Sequence, residues 1–193
     1  MKNFYLFVCF LSVGLVLACK SEKKSDAVFE TSNQFSGLIK DLNTKFTEKA
    51  GYSCIILSYD KLMGNTIMVK VAKDLNSDTI EEWYLMNGKW DKKSDILLEL
   101  ENVKPSDILF TINGDFDLAK LVEMVDVSKD KAESEKKAKD VECKNVNLLM
   151  KNKGTTANKM DGLIIQITVG NADGSNSFDL GFDAKGDFEG FLD

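Results

Sequence analysis

The first apolar stretch runs from Phe4 to Ala18, interrupted only by Ser12 and Gly14, with the single charge Lys2 before it. At Cys19 the pattern turns polar at once: Lys20, Ser21, Glu22, Lys23, Lys24, Ser25, Asp26. A charged start, an apolar middle and a small residue before the polar switch is the layout of a signal peptide. The run has about 15 residues, short of the ~20 needed to span hydrocarbon as a helix. Residues 1–18 are therefore expected to be a signal peptide and residues 19–33 a polar tether.

The period then becomes helical. Phe35, Leu38, Ile39, Leu42 and Phe46 fall on one face of a helix. Ser32 or Asn33 can cap its start and Gly51 can stop it in a left-handed conformation. Beyond Gly51 the period shortens to two. Tyr52 to Tyr59 reads as a strand, Gly64-Asn65 as a turn, and Ile67, Val69 and Val71 as the inner positions of a second strand. After the turn Asn76-Ser77-Asp78, Ile80 to Met86 reads as a third. Asn87-Gly88 is the strongest short hairpin signal in the chain and leads into Lys89-Trp90. Two more apolar runs, Ile96 to Val103 and Ile108 to Ile112, flank the only proline, Pro105.

A similar order follows. Leu118, Leu121, Val122 and Val125 reproduce the spacing of Phe35, Leu38, Ile39 and Leu42, and predict a second helix that runs to about Lys139. Cys143 falls near the start of a strand, as Cys54 does. Leu163, Ile165 and Ile167 match Ile67, Val69 and Val71; Phe178, Leu180 and Phe182 alternate with Asp179, Gly181 and Asp183; and Lys185-Gly186-Asp187-Phe188 mirrors Asn87-Gly88-Lys89-Trp90. The growing offset between the halves falls in loops, chiefly 151–161. This predicts an α+β chain of two tandem α-β-β-β repeats, residues 34–112 and 113–193, with the helices packed on one face of an antiparallel sheet. Two unrelated halves sharing generic amphipathic spacing are the alternative.

Two resemblances add to the residue pattern. The segment Val16-Leu17-Ala18-Cys19 resembles the lipobox of bacterial lipoproteins, with Val16 where that family prefers leucine. The resemblance implies cleavage before Cys19, lipidation of its thiol and anchoring to a membrane of the cell envelope. Lys20, in place of the aspartate that retains some lipoproteins at the inner membrane, implies the outer membrane, on its periplasmic or surface face. The helix-then-meander order with its Asn-Gly-Lys-Trp hairpin resembles PepSY-like and β-lactamase-inhibitor-protein-like modules. Those families use tandem helix-plus-sheet repeats to bind or restrain other proteins. No motif carries a functional residue across from them.

Composition narrows the chemistry. The chain has 25 lysines and arginines against 31 acids, no histidine, and a net charge of −6; all the basic residues are lysine. No basic patch with interleaved aromatics exists, so nucleic acid is not an expected partner. Without histidine, Ser-His-Asp and Cys-His sets and His-ligated zinc are excluded. Carboxylate pairs and Ser-Lys pairs remain available, but no spacing singles one out. No enzymatic activity, cofactor or metal is therefore expected. Asn171-Ala172-Asp173-Gly174 with Asp183 and Asp187 lacks the spacing of a calcium loop and reads as a turn and the outer side of a strand. The run Lys129 to Lys139 is nearly balanced in charge and reads as a solvated helix face.

Cys54 and Cys143 remain once Cys9 and Cys19 are set aside. In an oxidising compartment they are a possible disulfide, or else two buried thiols. Trp83, Tyr84 and Trp90 are a possible binding surface, since such residues concentrate at binding hot spots; packing of the sheet against the helices is the alternative. The function expected from the whole is an envelope-anchored lipoprotein with a non-enzymatic protein- or peptide-binding domain. A small-molecule or metal-binding module is the second expectation.

Overall fold

A computed structural model of the chain describes residues 32–60, 64–100, 103–112, 116–151 and 162–192. The signal peptide, Cys19 and most of the tether lie outside the described residues. Helix α1 (Ser32–Phe46) is followed by strands β1 (Gly51–Asp60), β2 (Gly64–Ala72), β3 (Thr79–Met86) and β4 (Lys89–Leu97). Helix α2 (Leu121–Lys136) is followed by β5 (Val141–Lys151), β6 (Gly162–Asn171), β7 (Ser177–Phe182) and β8 (Phe188–Leu192). All eight strands belong to one antiparallel sheet in the order β4-β3-β2-β1-β5-β6-β7-β8.

The expected two tandem α-β-β-β repeats are not what the chain builds. It is mostly a single eight-stranded sheet with two helices, and that sheet runs unbroken across the expected boundary at 112/113, because β1 pairs with β5. The strand that apolar alternation did not outline is β4, while the strand expected near Cys143 is β5. β4 reads KWDKKSDIL and is exposed at seven of its nine positions; as an edge strand it buries no continuous face. In β5 a bulge between Cys143 and Asn145 breaks the period-two rhythm.

Helix ends also fall earlier than expected. Thr47 takes a left-handed φ of 73° and stops α1 at Phe46, while Gly51 opens β1 instead. A Cβ at Gly51 would come within 3.1 Å of Leu109 Cδ1, so the glycine is kept for close packing. Lys137, with φ 59°, closes α2 in the same left-handed way as Thr47.

One apolar cluster holds the molecule together. It joins Phe35, Leu38 and Leu42 of α1, Leu121, Met124, Val125 and Ala132 of α2, and the inward residues of the sheet, among them Ile55, Leu57, Val69, Val146, Leu148, Ile165, Ile167 and Leu180. Each such side chain contributes roughly 1.5–3 kcal/mol through burial. A second small cluster of Ala72, Ile80 and Leu109, with Leu98 and Ile108 packed on it, sits where the segment after β4 folds back across one corner of the sheet. That segment also adds Phe110 to the edge of β1 through a pair of backbone hydrogen bonds with Tyr52, both 2.8 Å.

Candidate functional site

Pairing partners share a face, and successive residues alternate between faces. Ile55, Val69 and Trp83 are cross-strand partners and belong to the helix-covered face. Their neighbours belong to the other face. One row on it crosses the whole sheet: Asp91, Tyr84, Met68, Ile56, Asn147, Gln166, Gly181 and Gly190 are successive partners from β4 to β8. A parallel row carries Thr66, Ser58, Asn145, Thr168 and Asp179. Apart from the corner under Leu109, no described element packs on this face.

The open face has two chemical halves. On β1–β3 it holds Ile56, Met68 and Tyr84, all half-buried, and Cys54, only 7% exposed, with the Lys70–Glu82 pair beside them. On β5–β7 it is a field of amides and hydroxyls. Ser58 Oγ donates to Asn145 Oδ1 (3.1 Å), Asn147 Nδ2 to Gln166 Oε1 (3.5 Å) and Thr168 Oγ1 to Asp179 Oδ1 (2.6 Å). Asn147 Oδ1 is buried with no hydrogen-bond partner among the described residues. Charges on this face lie mostly in pairs, among them Lys70 Nζ 3.7 Å from Glu82 Oε2 and Lys144 Nζ 2.8 Å from Glu142 Oε2.

The structure divides the sequence-predicted site residues. Trp83 and Trp90 lie on the helix side, where Phe46 meets them edge-on with centroids 5.8 and 5.1 Å away. The ammonium of Lys45 sits 3.9 Å above the Trp83 ring, and the Trp83 indole N–H donates to Glu81 Oε2 (2.8 Å). Tyr84 is on the opposite face, so the three aromatics are not one surface. Burial, with the nearby Glu82 carboxylate, raises the Tyr84 pKa above the ordinary tyrosine value.

Cys54 and Cys143 do not bridge each other. Cys54 faces the open side opposite Leu149, whereas Cys143 lies in the helix-side core six positions further along β5, roughly 20 Å away. A disulfide needs Cα atoms within about 7 Å. Burial pushes the Cys54 thiol up to about 11, with Lys70 opposing and Glu82 reinforcing the shift.

The acidic C-terminal positions serve turns: Asp173 accepts from the Ser175 amide, and Asp183 from the amides of Lys185 and Asp187. Sequence reasoning missed the amide rows, because polar residues at alternate strand positions read as an ordinary solvated side. It also missed that Lys131 and Lys136 cover the Phe188 and Phe191 rings, at 4.5 and 4.4 Å.

No family model matches the chain, and no curated protein matches it. Among solved structures it is similar to a putative lipoprotein from Clostridium difficile 630, at 15% identity and a TM-score of 0.49, over 82% of this chain and 91% of that one. No helix among the described residues is long and apolar enough to cross a membrane.

Proposed function

We propose that this chain is an envelope lipoprotein, anchored through Cys19 at the outer membrane, whose domain binds a protein or peptide across the open face of the sheet without catalysing a reaction. The anchor rests on the segment Val16-Leu17-Ala18-Cys19 at the point where the apolar run stops. Two or more acyl chains on that cysteine would hold it without help from the domain, since each buried CH₂ is worth ~0.8 kcal/mol.

The observation that carries the binding reading is the cross-sheet row of Tyr84, Met68, Ile56, Asn147 and Gln166. It sets apolar side chains beside amides on one continuous surface, as protein contacts combine apolar anchors with hydrogen-bonding groups. Two measurements test the two parts. Mass spectrometry of the mature protein should find an acylated cysteine at its N-terminus, and an unmodified N-terminus elsewhere removes the anchor. For the domain, a partner recovered from native envelopes should lose at least tenfold affinity, about 1.4 kcal/mol, when Tyr84→Ala or Gln166→Ala is introduced. Glu123→Ala, exposed on α2, should bind like the parent. Partner binding that ignores the open-face changes overturns the reading.

A further inference from the structure

On the helix side, a cavity of about 380 Å³ lies between the last turn of α1 and the β2–β3 connection, walled by Lys45, Phe46, Val71, Ala72, Lys73 and Glu81 among others. That is within the range of small-molecule sites. Its floor is apolar: Phe46 and Val71 contribute ring and branched surface, and Ala72 contributes backbone only, its methyl being buried on the opposite face with Ile80 and Leu109. Its one acidic wall residue is already engaged. Glu81 Oε2 accepts from the Trp83 indole (2.8 Å) and Oε1 from Lys92 (2.6 Å), contacts that hold its carboxyl below the ordinary glutamate value. Lys45 and Lys73 have no carboxylate partner among the described residues; Lys45 rests on the Trp83 ring instead. The cavity wall therefore carries two lysines that form no ion pair among the described residues, beside an apolar floor.

We propose that this cavity binds a small organic anion, a single carboxylate on an apolar body of about one ring. The carboxylate sits between Lys45 and Lys73, where charge-assisted hydrogen bonds form at both ends. The body lies on Phe46 and Val71. Glu81 sets an upper limit on ligand charge and disfavours dianions, because a second negative group would face a carboxylate. The site is on the opposite side of the sheet from the proposed partner face and does not depend on it.

Phenylacetate and its uncharged analogue phenylacetamide are the probes, read by amide chemical shifts of the full domain in nuclear magnetic resonance. Phenylacetate should give saturable shifts centred on Lys45, Lys73, Ser77 and Thr79. Phenylacetamide should bind at least tenfold more weakly. Lys73→Ala, which leaves the Lys45–Trp83 contact untouched, should weaken phenylacetate at least tenfold, as should Lys45→Ala. Tyr84→Ala, on the other face, should change nothing here, so the two sites succeed or fail separately. Shifts that do not saturate, equal binding of acid and amide, or a Lys73→Ala variant that binds like the parent would each overturn the assignment.

Discussion

Tyr52 is only 1% exposed, and its hydroxyl is buried without a hydrogen-bond partner among the described residues. A buried hydroxyl that gave up water for nothing costs roughly 1–3 kcal/mol. Tyr52→Phe keeps the ring against Phe46 and Phe110 and should raise stability by about 1 kcal/mol, seen as a higher urea midpoint with an unchanged slope. Burial also raises the folded-state pKa of this phenol above its value of 10 in the unfolded chain. Below pH 10 the phenol is neutral in both states and adds no pH dependence. Above it only the unfolded chain ionises, so stability falls as pH rises. The parent should lose stability faster than Tyr52→Phe in urea titrations above pH 10. Cys54 follows the same logic as a reagent target. With its thiol pushed up to about 11, alkylation by iodoacetamide should be slow at pH 8 and rise nearly tenfold per pH unit up to pH 10, because the thiolate is the reacting form. A rate that levels off near pH 8.5 would mean an exposed, unshifted thiol.

At the scale of elements, the two sheet edges differ. β4 carries Asp91, Lys92, Lys93 and Asp95, linked in exposed pairs such as Lys92–Asp95 at 2.6 Å. Such pairs add little stability, about 0–1 kcal/mol each, but charge on an edge strand blocks pairing with another sheet. Lys92→Val combined with Lys93→Val should leave the melting temperature within a few degrees of the parent while producing concentration-dependent oligomers in light scattering. In β6, a Cβ at Gly170 would stand 2.5 Å from the carbonyl oxygen of Asn176 and 3.3 Å from Ser177 Cα. Both are backbone atoms, so the hairpin must shift, and Gly170→Ala should cost about 1–3 kcal/mol in denaturant unfolding. Legibility in the sequence followed burial. α1, β1 and β2 were readable because each buries a periodic face, β3 because the turns at 76–78 and 87–88 bracket it, and Asn87-Gly88 because both residues adopt positive φ, 52° and 72°, as a tight hairpin requires. β4 was not, since its side chains face water, and neither were the site rows. Ile56, Asn147 and Gln166 are far apart in the chain, and only strand register makes them neighbours.

For the molecule as a whole, the order of strands decides which contacts are distant. Six of the seven strand junctions join neighbours in the chain, and β1–β5 is the exception, with Ser58 and Asn145 87 residues apart. Non-local pairings of this kind slow folding, because a long loop must close before any contact rewards it. Synthesis proceeds from the N-terminus, so α1 and β1–β4 are made before β5 exists. Until β5 docks, β1 is an edge strand whose central residues, Ile55, Ile56 and Leu57, form an apolar run without the charges that guard β4. Nascent or half-folded chains should therefore be most prone to aggregate at this seam. In pulse-labelled hydrogen exchange during refolding, the amides of β1 and β5 that bond across the seam should gain protection last, after those of the β2–β3 and β6–β7 ladders. Chains truncated before Val141 should be captured by a holdase chaperone that leaves the finished protein alone.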